Sequence, residues 1–299
     1  MKKLLIIVLL SSSVWASDLQ HQLETMAAMH RGKVALYAHN LKTGVSVAVD
    51  ADRPVKTASV IKLPIMLEVF EQVKAGKRSL NDKVVLRQED KVAGSGVLPF
   101  LHSGLELTLD DAVTLMMIVS DNTATNLVLD QIGIPAVNAR LASMGLKSTY
   151  LYKKVYKPPE GPMPPDQKKF GLGKTTGREM AAVMESIARC DLGAPQLCRR
   201  MIEIMKNQQD RQMIPRLIEA ADTSETESAI ADKIGELDDS RNDVALIESQ
   251  AGPIVISAFT YENQDQRWNP DNEAYLLIAR MAKAIVDAWS PGGLKTGHN

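Results

Sequence analysis

The chain has 299 residues and a net charge of −1, from 35 basic and 36 acidic side chains, with aromatics at 4%. That balance excludes a global field for nucleic acid or an anionic membrane, and so few aromatics exclude a base-stacking surface. The five His are scattered with no pair at zinc-ligand spacing, so no metal or other cofactor is expected.

Met1-Lys2-Lys3 leads into the apolar run Leu4–Leu10 and then Ser11–Ala16, with small residues at Val14 and Ala16. A basic start and an apolar run too short to span a bilayer read as a signal peptide over residues 1–16, cleaved after Ala16. The expected location is periplasmic or secreted, with no stable membrane insertion after cleavage. Residues 17–299 would then form a single domain. Asp18–His30 carries Leu19, Leu23, Met26 and Ala27 at helical spacing. Val34–Asn40 and Val45–Val49 read as strands joined by the turn Lys42-Thr43-Gly44. Helical periodicity follows in Leu63–Ala75, Leu109–Ile118, Ala124–Ile132, Arg178–Ala188 and Leu197–Met205. Lys153–Gly173, with Pro158, Pro159, Pro162, Pro164 and Pro165, reads as a long irregular loop. Its tail, Gly171–Thr175, lacks the earlier glycine of a phosphate loop. Cys190 and Cys198 flank a Gly-Pro turn, as either a disulfide across it or two buried thiols. Ala229–Ile234, Val244–Ser249 and Ile254–Tyr261 read as strands, and Asn272–Trp289 as a final amphipathic helix.

This order predicts an α/β (α+β) fold: a five-stranded antiparallel sheet flanked by terminal helices, with an inserted all-α lobe. The α/β lobe would take residues 17–56 and 220–299, and the helical lobe residues 57–219. A cleft between lobes is a favoured place for a site.

Four phrases fall at the lobe boundaries. Ser59-Val60-Ile61-Lys62 sets a hydroxyl and an amine on one helix face, and a serine hydroxyl needs such a neighbouring base to become a nucleophile. Ser120-Asp121-Asn122 puts a hydroxyl beside an amide if it forms a turn, and is equally a good helix cap. Lys233-Ile234-Gly235 lies on the strand expected to border the cleft, where Gly235 leaves room for a substrate backbone. Gly94-Ser95-Gly96-Val97-Leu98 reads as a loop able to wall the cleft.

In this order the phrases resemble the motif set of the penicillin-recognising serine hydrolases. The chain is similar to class A β-lactamases in particular, through Thr57–Pro64, Gly94–Leu98, Met117–Asn126, Ala231–Gly235 and Ser240–Asp243. The resemblance implies a β-lactamase/transpeptidase-like fold and a set of roles. Ser59 would attack the lactam or peptide carbonyl, and Lys62 would take or relay its proton. The backbone N–H groups of Ser59 and Glu236 would form the oxyanion hole. Ser120 would pass a proton to the leaving nitrogen, and Asn122 would bind the substrate's side-chain amide. Lys233 and Arg241 would help hold a substrate carboxylate. An ion pair with Asp239 or Asp243 is the other reading of Arg241.

Three positions depart from the family pattern. Aligned on Thr149 and Leu151, Val155 falls where the family has its deacylating glutamate, and Glu160 is the candidate replacement. Ile234 stands where a Thr or Ser hydroxyl binds the substrate carboxylate. Glu236 adds a carboxylate that would repel an anionic substrate if it pointed inward. The expected function is an exported serine hydrolase that opens β-lactam amides through an acyl-Ser59 intermediate and deacylates poorly. The alternatives are a D-Ala-D-Ala peptidase or penicillin-binding-protein-like amidase acting on cell-wall peptides, and a non-catalytic binding protein on the same fold. A monomer acting on a small β-lactam or a cell-wall peptide is expected.

Overall fold

The computed structural model describes residues 18–218 and 228–295, and the expected signal peptide lies outside them. In chain order the elements are α1 (residues 18–29), β1 (Lys33–Asn40), β2 (Ser46–Val49), β3 (Val55–Lys56), α2 (Lys62–Lys74), β4 (Lys83–Val85), β5 (Glu106–Thr108), α3 (Leu109–Ile118), α4 (Asn122–Ile132) and α5 (Ile134–Ser143). They continue with β6 (Tyr150–Leu151), α6 (Gln167–Phe170), β7 (Gly173–Thr175), α7 (Gly177–Arg189), α8 (Pro195–Lys206), β8 (Ile230–Leu237), β9 (Ser240–Ser249), β10 (Gly252–Tyr261) and α9 (Glu273–Trp289).

Five strands form one antiparallel sheet in the order β2-β1-β10-β9-β8, joining the two ends of the chain as the sequence predicts. Period-two alternation gives this sheet two apolar faces. Val34, Leu36, Ala245, Ile247, Ile254 and Ile256 pack with Leu19 and Leu23 of α1 and with Ile278, Met281 and Ile285 of α9. Ala35, Val244, Leu246, Val255 and Phe259 face the helical layer. The middle of that layer is α2, which is buried without a break from Lys62 to Phe70. A helix apolar all round has no solvent face and must be enclosed by others. Among the described residues, no helix is long and apolar enough to cross a membrane.

The inserted region is not purely helical. β3, β7 and β6 make a small sheet, and β4 pairs with β5. The expected irregular loop from Lys153 to Gly173 contains the short helix α6 and ends in β7. These pieces are too short to show a periodicity. α5 is hidden for another reason: Gly133-Ile134-Pro135 reads as a break, but a proline in the first helical turn removes only an N–H that has no intrahelical partner. Cys190 and Cys198 form a disulfide linking the end of α7 to α8. Of these features the small sheet matters most for the site. It pairs Val55 with Thr175 and Lys56 with Lys174, directly before the Ser59 turn.

Candidate active site

Ser59 sits in a 3-10 turn, Ala58–Ile61, that runs into α2. Positions i and i+3 eclipse in such a turn, so Ser59 and Lys62 share a face. Ala58 is held at φ +45°, a left-handed conformation that costs a residue with a β-carbon about 1–3 kcal/mol. The surroundings impose it. Thr57 N donates to Gly173 O at 3.0 Å, and Asn242 Nδ2 donates to Lys56 O at 3.2 Å and Thr57 O at 3.3 Å. From the other side, Gly235 approaches so closely that a Cβ there would lie 2.8 Å from the backbone nitrogens of Ser59 and Val60. β8 is an edge strand, so alternate N–H groups point away from β9 rather than into the sheet.

Two buried amines converge on one hydroxyl. Lys62 Nζ donates to Ser120 O at 2.7 Å and Asn122 Oδ1 at 3.0 Å, and lies 3.1 Å from Ser120 Oγ. Lys233 Nζ lies 3.2 Å from the same Oγ and donates to Ile234 O at 2.9 Å. Neither lysine has any exposed surface. Burial, reinforced by the charge of Lys233, holds the Lys62 amine well below the ordinary lysine range. Burial also lowers Lys233, to about 8, against the upward pull of Asp232, Asp243 and Glu236. A neutral Lys62 has two N–H donors, matching the Ser120 carbonyl and Asn122 Oδ1, and leaves its lone pair for a hydroxyl proton.

Ser120-Asp121-Asn122 is both a cap and part of this network. Asp121 Oδ1 accepts from Ala124 N at 2.8 Å and caps α4. Its Oδ2 accepts from Val97 N at 2.7 Å and Leu98 N at 2.8 Å, fixing the Gly94–Leu98 loop. Gly96 is required there, because a Cβ would meet the Asp121 carboxylate at 2.3 Å. Asn122 Nδ2 donates to Ala93 O at 3.1 Å, so Asn122 is already engaged on both ends of its amide.

A cleft of about 400 Å³ opens over this group. Its lining includes Ser59, Ser95 and Ser120, the β8 residues Ile234, Gly235 and Glu236, and Asp210 and Trp268. Lys62, Lys233 and Asn122 lie behind Ser120 rather than on the lining.

Two more expected residues, Glu160 and Arg241, are absent from the lining and take no part in the network around Ser120. Glu160 is exposed, with 76% of its side chain accessible, and its nearest cation is Lys154 at 3.5 Å. Arg241 is fully buried. Its guanidinium donates to the carbonyls of Leu237, Ser240 and Arg267 and stacks 4.4 Å from the Trp268 ring and 5.1 Å from Tyr275. Its carboxylate neighbour is Glu236 at 3.7 Å, and neither Asp239 nor Asp243. Asp239 pairs with Lys56 at 3.1 Å, and Asp243 accepts from Ile214 N at 2.9 Å. Glu236 also accepts a hydrogen bond from Tyr275 Oη, and burial raises its carboxyl above the usual range.

Val155 is buried and held by a residue to which the sequence gives no role. Asn126 Oδ1 accepts from Val155 N and Asn126 Nδ2 donates to Val155 O, both at 2.9 Å. Asn126→Ala leaves that buried N–H and C=O unpaired, and is expected to cost about 1–3 kcal/mol in urea unfolding. An unchanged midpoint would show that the loop holds without it. Asn242 is a second such residue. It belongs to the Ser240–Asp243 phrase, yet only the fold reveals that it clamps Lys56 and Thr57.

The chain matches the family model described as "Beta-lactamase enzyme family" over residues 18–289. A beta-lactamase of Rhodobacter capsulatus is 25% identical over 273 residues, covering 88% of this chain and 87% of the relative. Beta-lactamase OXY-2 of Klebsiella oxytoca is 26% identical over 297 residues, covering 94% and 93%. Among solved structures, a beta-lactamase from Sphaerobacter thermophilus superposes with a TM-score of 0.78 at 30% identity, covering 89% of this chain and 95% of that one. A mutant of PBP-A in an acyl-enzyme complex with penicillin G shares the fold, with a TM-score of 0.77 at 22% identity over 91% and 96%.

Proposed function

The chain belongs to the class A-like beta-lactamase enzyme family, and from that premise we propose that it is an exported serine hydrolase that opens β-lactams through an acyl-Ser59 intermediate and releases it slowly. The observation that carries this reading is the Ser120 hydroxyl bridged between Lys62 and Lys233, on the same cleft lining as Ser59. Export rests on the pattern of residues 1–16.

In the first step Ser59 Oγ bonds to the lactam carbonyl carbon, and its proton passes to the neutral amine of Lys62. The developing oxyanion meets the backbone N–H groups of Ser59 and Glu236, each worth about 3 kcal/mol to the transition state. The C–N bond then breaks. The lactam nitrogen takes the Ser120 proton, and Ser120 is reprotonated from Lys62. Lys233 keeps the potential around Ser120 positive. The product is an ester on Ser59. Its hydrolysis needs a base to take a proton from the attacking water, and Val155 offers no acceptor.

Acylation is expected to rise with pH as Lys62 loses its proton and to fall above about 8 as Lys233 loses its charge. Stopped-flow acylation by a chromogenic cephalosporin measures both limbs. A rate that still climbs through about pH 10, the range of an ordinary lysine, would remove Lys62 as the base.

The decisive experiment is intact-mass analysis during incubation with penicillin G. The expected result is a long-lived adduct of one drug per chain that is absent in Ser59→Ala. An adduct that survives that substitution would overturn the assignment. The absence of a base at Val155 also favours a second reading, a peptidase on cell-wall peptides ending in D-Ala-D-Ala. Release of D-alanine faster than penicillin turnover would select it.

A further inference from the structure

Among the described residues, Trp268 is the only aromatic side chain on the lining of the Ser59 cleft, and 59% of its surface stays exposed. Leaving that much of an indole in water forgoes hydrophobic stabilisation. The fold nevertheless fixes this ring in place. The Arg241 guanidinium lies over one face, 4.4 Å from the ring centroid and within cation–π range. That guanidinium is itself immobile. It is fully buried, donates to the carbonyls of Leu237, Ser240 and Arg267, and has the Glu236 carboxylate at 3.7 Å. The backbone beside Trp268 is pinned as well. Asn272 Nδ2 donates to Asp265 O at 3.0 Å and to Arg267 O at 2.8 Å, and the Arg267 side chain pairs with the Asp265 carboxylate at 2.8 Å. A ring held from behind in this way pays no ordering cost when a ligand stacks on its exposed surface.

Which half of a substrate meets Trp268 follows from the rest of the lining. The cavity includes Ser120 and the two residues before it, Ile118 and Val119, but not Asn122. In the acyl-Ser59 reading Ser120 delivers a proton to the leaving group and Asn122 meets the acyl side chain, so this cavity receives the leaving half. Its volume of about 400 Å³ has room for a six-membered ring beside the scissile bond. We propose, resting on that reading, that Trp268 is a stacking platform for the leaving half of the substrate, and that the enzyme selects substrates whose departing half carries an aromatic ring. The saturated ring fused to the lactam of a penicillin is not planar and gains little from such a platform. The preferred substrates are amides, esters or lactams with a planar ring one or two bonds beyond the leaving atom.

The test uses two thioesters of one acyl group, phenylacetylglycine, that differ only in the departing thiol: benzyl mercaptan or cyclohexylmethyl mercaptan. The two thiols are alike in size and apolar character, but only the first is planar. Ser59 Oγ bonds to the carbonyl carbon, the C–S bond breaks, and the thiol leaves with the proton. Release of the first thiol per chain is followed with a chromogenic disulfide, and each rate is divided by that thioester's alkaline hydrolysis rate to remove intrinsic reactivity. Both cysteines of the chain are tied in the Cys190–Cys198 disulfide, so the reagent reads the released thiol. The benzyl ester is expected to react about two- to tenfold faster than the cyclohexylmethyl ester, the scale of an aromatic pair beyond the area it buries. Trp268→Phe should keep most of that ratio, and Trp268→Leu, which stays apolar, should bring it toward one. A wild-type ratio of one or below, a ratio unchanged in Trp268→Leu, or a ratio lost equally in Trp268→Phe would overturn the platform while leaving Ser59 in place. No Ser59-dependent release from either thioester would instead sink the hydrolase reading itself.

Discussion

A Val155→Glu variant is expected to turn over penicillin G about 10²–10⁴-fold faster than the wild type, through a shorter life of the acyl-Ser59 ester. The backbone at this position is fixed. Asn126 holds both the N–H and the C=O of Val155, and Asn126 lies on α4, the helix that begins with Asn122. A carboxylate introduced there would leave the chain from a defined point. The site is 8% exposed, so desolvation would raise the new acid's pKa toward the range useful for a general base. Single-turnover mass analysis separates deacylation from acylation. Val155→Gln supplies similar bulk without a base and should remain slow. Equal adduct lifetimes in the glutamate variant and the wild type would show that residue 155 does not face the path of the attacking water.

Lys62→Met is expected to lower the rate of adduct formation by about 10²–10⁴-fold while changing stability far less. Methionine keeps most of the volume and removes a polar amine whose burial is costly, although it leaves Ser120 O and Asn122 Oδ1 without their donor. These effects oppose each other, and the net change should stay within about 2 kcal/mol by urea unfolding. Adduct formation at the wild-type rate would hand the base role to Lys233, which reaches the same hydroxyl from the other side.

Much of this architecture is legible in the amino-acid order. The five strands of the main sheet are found from short apolar stretches, although β9 begins at Ser240 rather than Val244, and the helix pattern of α3 is found with both bounds intact. α5 and the two small sheets are not legible, the first because Pro135 mimics a stop and the others because two or three residues carry no period. The spacing of Ser59 and Lys62 and the phrases around Ser120 and Lys233 mark out residues of which the fold gathers the two lysines around the Ser120 hydroxyl and sets Ser59 on the same cleft lining. Arg241 shows the limit. A sequence reveals a cation near a cleft but not the three carbonyls and two rings that occupy it. Asn126 and Asn242 show another limit. Both act on the backbone of segments distant in sequence, and an asparagine that bonds to backbone leaves no trace in the residue it holds. The left-handed φ of Ala58 and Ser120 is equally silent, since neither is a residue that favours it.

The sheet order has a consequence for how the chain acquires its form during synthesis. β1 and β2 can pair as soon as they emerge, but the other edge of β1 waits for β10, with Lys33 opposite Tyr261. Until then a two-stranded hairpin presents an open, apolar edge while all of the inserted helices are made. Contacts of such long sequence separation form slowly, and exposed strand edges invite pairing with other chains. The helical layer has its own apolar cluster around α2 and can collapse early. The last three strands arrive together and must then insert beside β1 in a single late event. Misassembly should therefore concentrate on chains stalled or cut before β10, which would hold Ser59 on a formed helix and can pair β8 with β9, but lack the strand that joins this pair, with Lys233 and Gly235, to β1.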